Sequence, residues 1–462
     1  MTQNILNKGD GMIRFFTQLK HRLQTPAISV YFNLLGLKAK LKWLISRKYK
    51  VIESNEITTQ KREVVVFALY QKIKFRKDVI KVLEVLKARG VYVIGVNTQK
   101  VTESNKALIE KYFDVYIERY NFGRDFGSYK TAFTKIIYKN LNKSIIDKVL
   151  MINDSVYYSS LNLSSFVDRM MDSDLEVAGA TENFDIQHHL GSFCIKIDSD
   201  VVFNPKLIKF WKSYVVNDVR PRVIRKGELG LSKALISCVS NESKFGAVFG
   251  CKLLMEKLLK EKDEFLFNNI QKLTRQNSNV HWKTFTIQDL FQLTNQNIFN
   301  KYSIQNTHTH GTTTSLKIGD TGIADSSTSS TNTVLSDPTR DKSSAVFSLD
   351  DLKNFLKDNL NNYNGHEHEE EIHEKIAHYW YLVYREGSQI HQNAALLLYL
   401  GCTIIKMDGT LRGFWTSKEI EPMRSFMNQE DFNYISRKLY SKNNLGESLI
   451  GWRHVAFLKG YI

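Results

Sequence analysis

The chain has 462 residues, of which 42% are hydrophobic and 12% aromatic, and a formal net charge of +16. This composition excludes a wholly disordered protein, and the length suffices for one large core or two moderate ones. The four cysteines are far apart and form no CxxC pair, which argues against a disulfide scaffold, a zinc finger or a redox motif. The sequence lacks the roughly 18 uncharged apolar residues of a membrane-spanning helix and the apolar core of a secretory signal. We therefore expect a soluble, cytoplasmic protein with an anionic partner.

Positive charge is concentrated in the first 62 residues. Twelve lysines and arginines lie there against three acidic residues, a surplus of nine. Residues 30–50 interleave leucine, tryptophan and tyrosine with lysine. That composition is typical of a helix on an anionic membrane surface, and also of a helix packed on the next domain with solvated lysines. Nucleic-acid binding is a third interpretation, but zinc-finger spacing, an RNP-type strand and a basic heptad region are absent from the sequence, so we expect no nucleic-acid partner.

From residue 63 onward, apolar runs alternate with amphipathic segments. The pattern predicts strands at 63–70, 91–97, 115–121, 147–154 and 175–182, and helices at 78–90, 105–114 and 128–141. Strands that alternate with helices require crossover connections, so the predicted fold class is α/β, with a mostly parallel sheet flanked by helices. Ligands of open sheets bind outside the carboxyl ends of the strands, and we look for a site there.

The second half of the chain is less regular. Residues 306–346 are dominated by Thr, Ser, Asn and Gly, which predicts a flexible stretch. A further apolar run at 395–406 belongs either to the first sheet or to a second core. The predicted organisation is a basic helical segment at 1–62, an α/β domain at 63–250, an insertion with the flexible stretch at 251–387, and a C-terminal part at 388–462 that completes the module.

One string in this half has the composition of a metal site. On a helix, HEHEEEIHE at 366–374 places His366 and Glu370 on one face, and Glu369 and His373 on another. The HExxH pattern is absent, so we predict a solvated acidic helix that binds metal weakly.

A polar, glycine-containing cluster follows the third predicted strand. Its glycines permit close backbone approach, the helix after it offers free N–H groups, and its arginine suits a phosphate. The alternative is a tight turn in which Asp125 or Ser128 caps the helix. The candidate residues are Asn121, Gly123, Arg124, Asp125, Ser128 and Tyr129.

Three more groups are candidates. Asn153-Asp154-Ser155 directly follows the fourth strand, where Asp154 suits a divalent cation or a sugar hydroxyl, or caps a turn. Glu228, in a basic stretch before a helix, is either an ion-pair partner or a general base. The last group precedes an apolar run and either hydrogen-bonds a polar ligand or lies at the surface; it comprises His188, His189 and Ser192.

Taken in order, five blocks resemble those of the rhamnan synthesis F family. They are NFGRDFGSYKTAF, LMINDSVYY, GATENFDIQHHLGSFCIKI, the pair Phe210-Trp211, and GELGLSKAL. The resemblance covers roughly 63–240 and resumes at 400–413, in LGCTIIKMDGTLRG. Proteins of this family act in bacterial surface polysaccharide assembly and are regarded as rhamnosyltransferases or related glycosyltransferases.

The resemblance implies a GT-A-like fold and a defined reaction. A sugar would pass from a nucleotide diphosphate sugar, suspected to be deoxythymidine-diphosphate (dTDP) rhamnose, to a lipid-linked saccharide acceptor of an O-antigen (lipopolysaccharide) or capsule. The basic N-terminus would then meet the inner face of the cytoplasmic membrane, with the protein peripheral to it. A non-catalytic member, acting as a binding or scaffolding subunit of the assembly complex, is the alternative.

The resemblance also implies roles for the candidate residues. Asp154 stands at the metal motif of GT-A enzymes, where Mg²⁺ or Mn²⁺ would bind, but Asn153 and Ser155 replace the two outer carboxylates of that motif. Metal dependence is therefore open, with Arg124, Lys226 or helix N-termini as alternative counter-charges. Glu228 would be the catalytic base, and Asp154 would be a second catalytic residue. The donor would contact Asn121, Gly123, Arg124, Asp125, Ser128, Tyr129, Asn153 and Ser155, and the acceptor or donor sugar would contact His188, His189, Ser192 and Lys406.

Overall fold

A computed structural model describes residues 26–41, 44, 50–54, 62–100, 102, 105–274, 368–385, 387–412, 414–442, 445 and 448–461. The predicted flexible stretch at 306–346, most of the predicted insertion, and the first 25 residues lie outside this described part of the chain.

The centre of the fold is an eight-stranded sheet in which six strands point the same way. Its spatial order is β1-β4-β3-β2-β5-β10-β7-β11. Neighbours are parallel from β4 to β5 and between β7 and β11, whereas β1 and β10 run antiparallel to their neighbours. The strands are β1 Lys50–Ser54, β2 Arg62–Leu69, β3 Tyr92–Asn97, β4 Val115–Glu118, β5 Ile146–Asn153, β7 Val177–Gly179, β10 Cys194–Asp198 and β11 Phe245–Ala247. The predicted class, a mostly parallel sheet flanked by helices, is confirmed.

Two short pairs of strands complete the β-structure. The strand β8 Glu182–Asn183 pairs with β9 His189–Leu190. The strand β6 Val156–Tyr158, which begins two residues after Asp154, pairs antiparallel with β12 Ile404–Lys406. The closing sequence block therefore lies beside the end of β5, although some 250 residues separate the two in the chain.

Helices cover both faces of the sheet. The described α-helices are Lys77–Ala88, Lys106–Tyr112, Arg124–Ala132, Tyr138–Asn140, Leu163–Met171, Ser199–Val202, Pro205–Ser213, Arg220–Val223, Leu229–Ile236, Cys251–Met255, Glu264–Leu273, His368–Arg385, Gln389–Gln392, Ala394–Tyr399, Ser417–Ile420, Gln429–Tyr440 and Trp452–Leu458, together with residues 26–41. Short π-helical turns lie at Phe133–Ile137, Ile224–Glu228 and Glu256–Lys260, and 3₁₀ turns at Glu242–Lys244 and Glu421–Phe426.

Alternation along β2 explains why the sheet has a core on each face. Val65, Phe67 and Leu69 belong to one buried cluster, and Val64, Val66 and Ala68 to the other, because successive side chains of a strand point to opposite faces. The first cluster also includes residues of 372–439. The apolar run at 395–406 thus joins the core of the first sheet.

Two helices begin earlier than the sequence predicts. The helix expected from residue 128 begins at Arg124, because Gly123 has a φ of +90° and turns the chain directly into the helix. Helical structure continues without a break from Arg220 to Ile236, through the π turn, so Glu228 lies within a helical run and not at its start. Pro221 in the first turn suits the earlier start, since proline fixes a helical φ there.

The helix at 26–41 packs on the rest of the molecule through one side. Ile28 contacts Val455 and Ala456, and Phe32 stacks on Tyr461 at 5.0 Å. Further along, Gly36 lies against Val219. Within the described residues, every helix is too short or too polar to cross a membrane.

Candidate active site at the carboxyl ends of the parallel strands

Asp154 joins the ends of two neighbouring strands. Its Oδ2 accepts hydrogen bonds from the backbone N–H of Tyr70, at 2.7 Å, and from the side-chain amide of Gln71, both just beyond β2. The guanidinium of Arg76 donates to the carbonyl oxygen of Asp154 at 2.9 Å. Burial raises the pKa of Asp154, and the hydrogen bonds from Gln71 and Tyr70 oppose that rise. This carboxylate therefore serves first to fix the geometry of the strand ends.

Asn153 connects the second predicted cluster to the first. Its amide nitrogen donates to Oδ2 of Asp125 at 2.8 Å. Its Oδ1 accepts from the backbone N–H and the hydroxyl of Ser155, at 3.1 and 2.7 Å. Asn153 is thus in direct contact with both Asp125 and Ser155, and all three were predicted as donor-site residues.

Asp125 lies in the first turn of its helix, surrounded by cations. Burial raises the pKa of its carboxyl group, and the charges of Lys406, Arg124 and Arg119 oppose that shift. Because Lys406 lies on β12, this interaction links the closing block with the first polar cluster.

Asp218 holds the turn before that helix. Its carboxylate accepts a hydrogen bond from the backbone N–H of Gly123, and its carbonyl oxygen accepts one from Nε of Arg124 at 3.0 Å. Arg119 donates to the carbonyl oxygens of Tyr120 and Phe122 on the other side of the turn. Burial lowers the pKa of Arg119 to about 10, and Asp218 and Asp125 oppose the shift. Asn121 lies exposed on the same turn.

Three basic side chains surround the carboxylate of Asp408, two residues beyond β12. Its carboxylate contacts Nε of Arg412 at 2.8 Å, Nε2 of His391 at 3.2 Å and Nη2 of Arg220 at 3.7 Å. Burial alone would raise the pKa of Asp408, but the hydrogen bond to His391 and the charges of Lys406 and Arg220 outweigh it, so the pKa lies below its usual value. The Arg220 side chain comes from the helical run that carries Glu228.

Glu228 is half-buried near the strand-end region around Asp125 and Asp408, which is hereafter called the cleft. Gly227, which precedes Glu228, packs directly on the ring of Phe126, and Phe126 follows Asp125 in the chain. Burial raises the pKa of Tyr214, and the charges of Glu228 and Asp125 add to that rise. The charges of Glu228 and Asp125 therefore both lie near Tyr214. The basic side chains of Arg225 and Lys226 are exposed.

The remaining predicted site residues make structural contacts. Ser128 and Tyr129 are buried, and the Tyr129 hydroxyl donates to the carbonyl oxygen of Ser192 at 3.0 Å. His188 lies 2.9 Å from Oε2 of Glu182 and stacks on Phe184 at 4.6 Å. His189 is buried, with Nδ1 2.8 Å from the carbonyl oxygen of Gln187. Within this group, Tyr129 is linked to the Asp125 cluster by a hydrogen-bonding interaction with Asn153.

In the described part of the acidic segment 366–374, side chains are held by packing contacts and an ion pair. His373 stacks on Phe267 at 4.1 Å, and its Nε2 lies 2.9 Å from the carbonyl oxygen of Leu258. Glu370 pairs with Lys262 at 2.9 Å. His366 lies outside the described residues. Throughout the described ranges, three or more His, Cys, Asp or Glu side chains do not gather as a metal centre anywhere.

Several residues of the cleft were not predicted from the sequence. Gln71 directly follows the first predicted strand, so the strand-end rule applied there could have found it. Asp408 follows the apolar strand of the closing block in the same way. Asp218, Arg220 and His391 carry no motif, and only the fold brings them to the cleft.

The comparison with family models agrees with the sequence blocks. The model of the family described as rhamnan synthesis protein F matches residues 93–310. The uncharacterized protein y4gN of Sinorhizobium fredii is 25% identical over 230 residues, which are 46% of this chain and 59% of that protein. The glycosyltransferase GlyE of Streptococcus pneumoniae TIGR4 aligns with a TM-score of 0.23 and 14% identity, over 52% of this chain and 51% of that chain. This chain thus spans less than two thirds of either relative, and the match over residues 93–310 confirms the resemblance to the rhamnan synthesis F family.

Proposed function

We propose that this protein is a glycosyltransferase that takes its sugar from a nucleotide diphosphate sugar. The observation that carries the proposal is the cleft at the carboxyl ends of β2 and β5, where Asn153 and Asp125 meet the cations Lys406 and Arg124. Such a cleft offers hydrogen-bond partners for a nucleoside and sugar, and positive charge for a diphosphate. The match to the rhamnan synthesis F family over residues 93–310 supports the same class of activity.

In the proposed reaction, Glu228 removes the proton from an acceptor hydroxyl while that oxygen attacks the anomeric carbon of the donor. The bond between this carbon and the diphosphate oxygen breaks, and the electron pair leaves with the diphosphate. Negative charge develops on that group, so cations fixed beside it lower the barrier more than they stabilise the bound donor. The family description makes dTDP-rhamnose the first donor to test, although the proposal holds for any nucleotide diphosphate sugar.

Donor turnover tests this function directly. The full-length protein is incubated with a panel of nucleotide sugars and saccharide acceptors, and release of nucleoside diphosphate is measured. We expect one donor to be consumed, and Glu228→Gln to lower kcat by about 100-fold or more while donor binding is retained. The exposed Glu242 provides a control, Glu242→Gln, with unchanged activity. If no donor is bound or consumed, the proposal is wrong.

The alternative, a donor-binding subunit without catalysis, has one observation in its favour. The Asp154 carboxylate, at the motif position that usually binds metal, is held by Tyr70 and Gln71. Donor binding without turnover, with the same result for wild type and Glu228→Gln, would support this alternative.

We further propose that the helix at 26–41 contacts a lipid surface on which the acceptor is presented. Val30, Leu34, Leu37 and Leu41 are each more than half exposed and recur at helical spacing, so they form one apolar stripe. Lys38 is exposed on this helix. Arg453 is exposed on the helix Trp452–Leu458 that packs against it, and Lys459 is exposed directly after that helix. An apolar stripe flanked by cations is complementary to an anionic membrane.

A further inference from the structure

Among the described residues, three cations at the cleft form no hydrogen bond with a carboxylate and no ion pair shorter than 3.7 Å. Arg124 donates from Nε to a carbonyl oxygen, that of Asp218. Arg220 approaches the Asp408 carboxylate no closer than 3.7 Å. The Lys406 ammonium lies 5.6 Å from the centre of the Phe193 ring and makes no hydrogen bond with any residue that the structure describes. Arg89, by contrast, forms ion pairs with three carboxylates at 2.5–2.7 Å.

These three cations are linked by their charges and by shared carboxylate neighbours. Burial and the like charge of Arg220 lower the pKa of Arg124, so the two guanidinium groups repel each other. The charge of Lys406 favours the ionised form of both Asp125 and Asp408. The charge of Arg220 does the same for Asp408. Asp125 and Asp408 offset part of this positive charge. Guanidinium groups suit the oxygens of a phosphate, so the three cations can still bind a further anion.

The same cleft is poorly suited to a divalent cation. The Oδ2 of Asp154 and the Oδ1 of Asn153 already accept two hydrogen bonds each. The carboxylate of Asp125 binds the Asn153 amide and lies under the positive charge of Lys406 and Arg124. A metal ion at Asp125 would be repelled by both cations. The residues of the described chain thus do not fit the divalent ion that the resemblance to GT-A enzymes implies.

We propose that Arg124, Arg220 and Lys406 bind the diphosphate of the donor and that this binding needs no divalent cation. The inference rests on the proposed function, because it assigns the anion site to a nucleotide sugar. Lys406 and Arg220 come from two segments far apart in the sequence, so the site exists only when the closing block is packed beside β6.

Calorimetric titration of the full-length protein with dTDP, UDP and GDP tests this assignment. Each titration is done in EDTA and repeated with Mg²⁺ or Mn²⁺. We expect one nucleotide to bind equally well in both buffers. Lys406→Met and Arg220→Gln should each weaken binding by about tenfold, and Lys406→Arg should restore most of the loss. Lys139→Met is the matched control, since Lys139 is exposed at the far end of the helical run that begins at Arg124, and should bind as wild type.

Thermal unfolding of each variant shows that it is folded. Binding that disappears in EDTA and returns with Mg²⁺ or Mn²⁺ would overturn this inference and leave the proposed function intact. Wild-type affinity in both Lys406→Met and Arg220→Gln would also overturn it. If dTDP, UDP and GDP all fail to bind in either buffer and the turnover assay consumes no nucleotide sugar, the inference and the proposed function are both wrong.

Discussion

At the scale of single residues, the cleft depends on a backbone turn that only glycine accommodates. Gly123 has a φ of +90°, and a β-carbon there would overlap the Val216 side chain. Its backbone N–H is also bound by Asp218. The turn sets the direction in which Arg124 and Asp125 enter the helix, so its shape governs the anion site as well as local stability.

Gly123→Ala should therefore lower the free energy of unfolding by about 3 kcal/mol, from left-handed strain together with the overlap. Gly90→Ala is the control, because Gly90 has a φ of +77° but open space around its β-position. It should cost about 1 kcal/mol, from strain alone. Urea unfolding of both variants measures the difference. Equal losses would show that the contact with Val216 does not constrain the turn.

Asp408 provides a prediction about pH. Its pKa is lower in the folded protein than its ordinary value of 3.8, because the interactions with His391, Lys406 and Arg220 outweigh the effect of burial. A lowered pKa contributes stability above the ordinary value, and that contribution is lost as the pH falls through the range below it.

Asp408→Asn should accordingly lower the free energy of unfolding by about 2 kcal/mol at neutral pH. The difference from wild type should shrink below pH 3.8. Asp200→Asn is the control, since Asp200 is 75% exposed in its pair with Lys143, and should change stability by less than about 0.5 kcal/mol. Urea titrations across the acidic range provide the values. A loss from Asp408→Asn that does not depend on pH would contradict this account.

At the scale of elements, the helix at 26–41 has two different faces. Its inner side contacts Val455, Ala456 and Val219, and Val219 directly follows Asp218 of the cleft. Its outer side carries the apolar stripe. A lipid surface bound by this stripe would be separated by one helix from the segment that shapes the proposed donor site, which suits an acceptor anchored in a membrane.

The double substitution Leu34→Glu with Leu37→Glu should reduce binding to vesicles that contain anionic phospholipid by about tenfold or more, because two leucines lose favourable burial and two like charges meet the surface. Ile73→Glu is the control, as Ile73 is 68% exposed on another part of the molecule. Co-sedimentation with anionic and with neutral vesicles measures both variants. Unchanged binding of the double variant, or no binding of the wild type, would exclude the lipid surface as the occupant of this stripe.

At the scale of the whole molecule, one core unites segments that are distant in the chain. Buried residues between Val65 and Leu273 form a single cluster with residues between Ile372 and Leu439. The pairing of β12 with β6 and the hydrogen bond from Tyr157 to Asp431 at 2.7 Å cross the same boundary. The closing part therefore has no separate core of its own among the described residues.

We expect urea unfolding to be a single transition, with far-ultraviolet circular dichroism and tryptophan fluorescence changing together. Trp211 lies in the cluster on one face of the sheet, and Trp380 and Trp415 lie in the other, so fluorescence reports on both. Two separated transitions would show that the closing part unfolds independently.

The sequence by itself determined the α/β class and the positions of most central strands. Their apolar runs and intervening amphipathic helices are local patterns, and burial of both sheet faces makes runs such as that of β2 continuous. It also predicted Asn153, Asp125 and Arg124 as parts of one site, because strand-end position and residue type are local properties. The ordered blocks carried the family resemblance.

Only the tertiary structure decided which charges meet. Asp218, Arg220, His391 and Asp408 come from segments without a common motif, and long-range packing brings them to the cleft. The inward hydrogen bonds of Asp154 likewise depend on the register of β2 beside β5. Whether the cleft suits a metal ion or an anion depends on the distances between its charged side chains. The order of residues along the chain does not specify those distances.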